Sequence, residues 1–64
     1  MGFSPITLWS DRIHRCVLRR EGGRFELLLY LDRRVVRLET CENERDARRK
    51  AHEWLIALEE ITHH

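Results

Sequence analysis

A chain of 64 residues has room for one small core, since at this size only about 60% of the unfolded surface is buried on folding and stability is marginal. A hydrophobic share of 42% beside a net charge of only +1 excludes a disordered polyelectrolyte, and no overall field draws the chain toward DNA or anionic lipid. No apolar run approaches the roughly 20 residues of a membrane span, and Cys16 and Cys41 are too few for a disulfide framework. These features point to a cytoplasmic protein with both thiols reduced, folded as one domain over residues 1–64.

The N-terminal stretch Met1-Gly2-Phe3-Ser4-Pro5-Ile6 has no basic segment followed by an apolar one, so it does not read as a signal peptide. Gly2 fits a myristoylation site poorly, because Ile6 stands where that motif takes Ser or Thr. Phe3, Ile6, Leu8 and Trp9 are too apolar to be left in water. The expectation is that they extend the first strand from near Thr7; the alternative is that residues 3–9 fold across the sheet.

Strands are expected over about 7–20, 24–31 and 34–41, and a helix over about 43–62. Gly22-Gly23 joins the first two strands, a pair suited to the primed hairpin turns that need positive φ. Asp32-Arg33 joins the next two, with Asp the residue better able to adopt that conformation. Two-residue loops at both places fix the pairing by counting outward. One face then carries His14, Cys16, Leu18, Phe25, Leu27, Leu29, Leu31, Val36 and Leu38, and must take the helix. The other pairs Arg19 with Glu26, Val17 with Leu28, and Arg15 with Tyr30, then sets Tyr30 beside Val35, Leu28 beside Arg37 and Glu26 beside Glu39. The last juxtaposition of like charges is the one discord in an otherwise complementary face.

The helix is the clearest element. Ala47, Ala51, Trp54, Leu55, Leu58 and Ile61 fall on one stripe of a 3.6-residue period. Asn43 is placed to cap it, with Asp46 three residues later in a capping-box position. Glu44 and Asp46 suit the N-terminal dipole and precede Arg48 and Lys50 by four residues. His63-His64 follow the other end, where cations are favoured. The expected class is therefore α+β: a three-stranded antiparallel sheet (β-β-β-α) with one C-terminal amphipathic helix on one face.

Catalytic and metal chemistry lack their usual residues. Cys16 and Cys41 lie 25 positions apart, far from the short spacings of zinc ligands. His14 and Cys16 share a strand face, but alternate strand residues sit about 7 Å apart, too far for a nucleophile and its base. Gly22-Gly23 serves a hairpin rather than a phosphate loop, and Glu59-Glu60 are neighbours on a helix rather than carboxylates opposed across a cleft. No catalytic residue, metal or cofactor is assigned, and no small-molecule substrate is evident.

What remains is surface. Arg15, Val17, Arg19, Leu28, Tyr30, Val35 and Arg37, with Ile13 nearby, give the open sheet face an aromatic and several arginines among aliphatic residues, the composition of an interface centre. Self-association is the simplest use of such a patch, because a two-fold contact uses it twice. A second basic surface, Arg45, Arg48 and Arg49 with Lys50, lies on the helix, where a charge run usually serves solubility.

The order sheet, then Asn43-Glu44-Arg45-Asp46-Ala47, then Ala51, Trp54 and Leu55 resembles the arm-type DNA-binding domains of phage-like integrases. That resemblance implies a three-stranded sheet laid in the major groove, with Arg15, Arg19, Arg37 and Tyr30 facing DNA. Glu26 and Glu39 would meet the phosphates on the same face. The sequence thus favours a protein partner or a second copy of the chain, with nucleic acid as the alternative.

Overall fold

The computed structural model describes residues 4–62. Phe3, at the start of the segment considered as a cover for the sheet, and His63-His64 lie outside the described residues. In chain order the elements are β1 (Ile6–Ser10), β2 (His14–Glu21), β3 (Arg24–Leu31), β4 (Arg34–Cys41) and α1 (Glu44–Thr62). The strands form one antiparallel meander in the order β1-β2-β3-β4. The α+β class and the C-terminal helix are as expected, but the sheet has four strands rather than three.

The extra strand arises at Asp11. The segment expected as one strand over about 7–20 breaks there, because the Asp11 carboxylate accepts hydrogen bonds from the backbone N–H of Ile13 (2.9 Å) and His14 (2.6 Å). The Asp11 N–H in turn donates to the His14 carbonyl at 2.9 Å. An aspartate side chain offering the backbone an alternative to the ladder is a turn former. The chain folds back, and β1 pairs with β2 instead of extending it. The Asp32 N–H also donates to the Ile13 carbonyl at 2.8 Å, tying this turn to the one between β3 and β4.

Both expected hairpin turns form. Gly22 has φ +61°, and Asp32 and Arg33 have φ +49° and +73°, the two positive values of a type I′ turn. The β2–β3 register is the expected one, with Arg15 opposite Tyr30, Val17 opposite Leu28 and Arg19 opposite Glu26. The β3–β4 register begins as expected, with Leu31 opposite Arg34 and Tyr30 opposite Val35, and then shifts: Leu29 meets Arg37, leaving Val36 as the extra residue of a bulge. A one-residue shift exchanges the faces of everything beyond it. Leu38 therefore lies opposite Leu28 and Thr40 opposite Glu26, while Arg37 and Glu39 move to the helix side. The expected placement of Leu38 in the core, and of Arg37 and Glu39 on the open face, is corrected accordingly. Val36, also expected in the core, is 52% exposed.

The helix side is the core. Cys16, Leu18, Leu27, Leu29 and Cys41 from the sheet are buried against Ala47, Ala51 and Trp54, with Leu8, Trp9, Phe25 and Leu58 packed around them. Small Ala47 and Ala51 let α1 approach closely, and Trp54 supplies the bulk. Ile61, expected in the same stripe, is 69% exposed and contributes no burial. A second bulge, between Thr7 and Trp9, accompanies the packing of both Leu8 and Trp9 on the core, and the Trp9 indole donates to the Ala51 carbonyl at 2.8 Å.

The charges brought over by the β4 bulge are accommodated at the helix margin. The Arg37 guanidinium lies 4.6 Å from the Trp54 ring centroid, and Glu39 accepts from Lys50 at 2.6 Å and from Arg37 at 3.3 Å. The Lys50 ammonium, more than any other group, holds the Glu39 carboxyl below its ordinary value. Asn43 caps α1 as expected, accepting from the Asp46 N–H at 2.8 Å. Glu44 pairs with Arg48 at 2.8 Å, but Lys50 goes to Glu39 and the Asp46 carboxylate lies 3.5 Å from Arg49.

Candidate functional site: the open sheet face

Three rows of side chains cross the face that α1 leaves uncovered. Ser10, Arg15, Tyr30 and Val35 form the row nearest the Asp11 and Asp32 turns; Thr7, Val17, Leu28 and Leu38 form the middle row; Arg19, Glu26 and Thr40 form the third. Six of the seven expected residues, Arg15, Val17, Arg19, Leu28, Tyr30 and Val35, are thus brought together. Arg37 is not. Leu38 takes its place on this face, and sequence reasoning missed it because Leu38 was counted into the core.

The face is graded in exposure. Val17 and Leu28, on the two central strands, are already buried (8% and 3% exposed), whereas Val35 and Leu38 on β4 are nearly half exposed (47% and 46%). The open apolar area therefore lies along β4 at Val35 and Leu38, with Ile13 (56% exposed) in the β1–β2 turn. A contiguous apolar strip rimmed by polar groups is what an interaction surface requires.

The polar groups are held in place. The Arg15 guanidinium sits 5.0 Å from the Tyr30 ring centroid, a cation–π contact of about 0.5–1 kcal/mol at an exposed site. Arg19 donates to Glu26 at 2.6 Å, and that hydrogen bond raises its pKa further. Both contacts fix long side chains that would otherwise lose rotamer freedom on binding.

Charge divides this face from the helix. Arg48 pairs with Glu44 (2.8 Å), and Arg49 lies near both Asp46 and Glu53 (3.5 and 3.6 Å), so of the expected basic helix face only Arg45 stands without a carboxylate partner among the described residues. Near the turns, Arg12, Arg15 and Arg33 line a shallow hollow of about 480 Å³ with Tyr30, and none of the three forms an ion pair among the described residues. Asp11 and Asp32 share this hollow, but the Asp11 carboxylate is engaged by its own turn and lies 3.2 Å from the His14 ring. Arg33 escaped the sequence reading because the Asp32-Arg33 turn counts there only as a connection, and Arg12 because it falls inside the strand expected over about 7–20.

His14 and Cys16 do not meet as nucleophile and base. His14 turns to Asp11, while Cys16 is fully buried and burial pushes its thiol up to about 11. Among the described residues no three His, Cys, Asp or Glu side chains converge as metal ligands would, and no helix is long and apolar enough to cross a membrane. Comparison of the chain with protein-family models, with curated proteins and with solved structures finds no match.

Proposed function

We propose that this chain is a small non-enzymatic binding module, acting in the cytoplasm, whose working surface is the open sheet face and whose partner is a protein, most simply a second copy. The observation that carries this reading is the pair of half-exposed aliphatic residues Val35 and Leu38 beside a prearranged Arg15–Tyr30 pair. Anchors of this kind, an aromatic and an arginine beside aliphatic groups, contribute most of the energy of protein interfaces. Amide chemical shifts recorded over a concentration series test it. Shifts confined to Arg15, Leu28, Tyr30, Val35 and Leu38 support the reading; shifts confined to Arg45 and Arg49, or none at all, reject self-association through this face.

A second reading, DNA binding, is favoured by the cluster Arg12, Arg15 and Arg33 and by the departure of Glu39 from the face. The resemblance of the Asn43–Leu55 stretch to arm-type domains supports it as well, although Arg37 is lost to the helix side. Phosphate contacts predict affinity that falls steeply with salt. Titration with duplex DNA at two salt concentrations separates the readings, and absence of binding at low salt rejects this one.

A further inference from the structure

We propose that two copies of the chain associate by pairing their β4 strands antiparallel about a two-fold axis at Leu38, joining two four-stranded sheets into one of eight. The proposal rests on the reading of a second copy as the partner, and places the contact along the β4 edge of the open face.

An edge strand presents a row of unpaired backbone donors and acceptors, a template for another strand. The two edges of this sheet are unequal. β1 has five residues interrupted by a bulge, whereas β4 has eight and carries the exposed Val35, Val36 and Leu38. The bulge at Val36 lies toward one end of β4, and from Arg37 to Cys41 the pairing with β3 runs residue by residue. That regular half can extend the sheet.

The direction of the backbone selects the residues. In an antiparallel ladder, successive residues point their N–H and C=O alternately toward the neighbouring strand and away from it. The two-residue turn makes Leu31 and Arg34 the closing pair, so Val35 points outward, and Leu38 and Thr40, on the same face, point outward with it. Leu38 and Thr40 flank the middle of the regular half, and of the two only Leu38 adds apolar surface to the contact.

Charge then selects the register. A two-fold within one sheet sets residues of the same face opposite each other. With the axis at Arg37, two guanidiniums would stand opposite; with the axis at Glu39, two carboxylates. Like charges directly opposite destabilise a ladder. With the axis at Leu38, Arg37 faces Glu39 of the partner subunit twice over, and Leu38 meets its own copy. The half-exposed aliphatic strips of both copies become one continuous surface in the middle of the joined sheet.

Leu38→Cys in the full chain tests this directly. Residues opposite at a hydrogen-bonded antiparallel position have Cα atoms about 5.5 Å apart, within the roughly 4.4–6.8 Å that a disulfide spans. Mild oxidation should therefore cross-link Leu38→Cys into a dimer, while Thr40→Cys, four positions from its own copy, should stay monomeric on a non-reducing gel. In sedimentation, wild type should show concentration-dependent dimerisation. Leu38→Lys should weaken it at least roughly tenfold by setting two ammonium groups on the axis, and Glu53→Ala, on the exposed side of α1, should leave the dimer in place. Circular dichroism checks that each variant folds; should Leu38→Lys fail to, the cross-link decides. If Tyr30→Ala dissociates the dimer and Leu38→Lys does not, the copies meet face to face: the edge pairing is overturned and the open-face reading stands. A wild type that remains monomeric at every concentration, with no Leu38→Cys cross-link, overturns the pairing outright.

Discussion

Trp54→Ala removes the largest side chain by which α1 seals the sheet. Trp54 is 6% exposed and belongs to the cluster with Cys16, Leu18, Leu27 and Leu29. Truncating a buried aromatic of this kind costs about 3–5 kcal/mol, and losing the Arg37 stack adds about 0.5–1 kcal/mol. Native domains are stable by roughly 0.05–0.15 kcal/mol per residue, which for this chain amounts to about 3–10 kcal/mol. One substitution thus removes between a third and all of the stability. Urea unfolding followed by far-ultraviolet circular dichroism reads the loss without relying on Trp54 fluorescence. In a thermal scan, at roughly 4–8 °C per kcal/mol for domains of this size, the midpoint should fall by more than about 12 °C, or the variant should be unfolded at the outset. A loss below about 1 kcal/mol, the cost of an ordinary surface change, would refute the reasoning, since the helix could not then be sealing the leucine side.

Trp9→Phe keeps an aromatic ring on β1 but deletes the indole donor to the Ala51 carbonyl; a loss of about 1 kcal/mol in urea unfolding is expected, and no loss would remove this bond as the tie between β1 and α1. The Asp11 carboxyl is held below its ordinary value, first by the His14 N–H and then by the Ile13 N–H. A depressed folded-state pKa contributes stability that is present above the unfolded value near 3.9 and lost as pH falls through the folded one. The stability gap between wild type and Asp11→Ala should therefore narrow below about pH 4, and a gap independent of pH contradicts this assignment. Cys16 shifts the other way, up to about 11 through burial, so its contribution is complete below the unfolded value near 8.5 and declines as pH rises toward the folded one. Its alkylation at neutral pH should accelerate with denaturant in step with unfolding; rapid labelling of the native protein would refute its placement in the core.

The helix was legible because three signals agreed: the apolar period through Ala47, Ala51 and Trp54, the Asn43 cap and the acidic first turn. The β2–β3 pairing was equally plain, since Gly22-Gly23 set the turn and Arg19–Glu26 confirmed the register. The two bulges were not read, because each inserts a residue that strict alternation cannot accommodate. Both left a trace in the sequence: Leu8-Trp9 and Val35-Val36 are adjacent apolar pairs in segments otherwise read as alternating, and such a pair can mark the point where the face changes. The like-charge contact expected between Glu26 and Glu39 was a second trace, and the bulge removes it by turning Glu39 toward Lys50. The Asp11 turn was missed for a different reason. It contains no glycine and depends on one side chain capping two backbone N–H groups, which composition does not announce. Of the candidate face, the part on β2 and β3 was therefore read correctly, while on β4 only Val35 was.

The β4 side chain that lies beneath Trp54 decides which residues of that strand face the helix and which face outward. Nuclear Overhauser contacts from the Trp54 ring, in a sample dilute enough to exclude association, test this most directly. Contacts to the Arg37 methylenes, with Leu38 methyls meeting those of Leu28 instead, are the predicted result. Contacts from the Trp54 ring to the Leu38 methyls would contradict it, returning Leu38 to the core and Arg37 to the outer face.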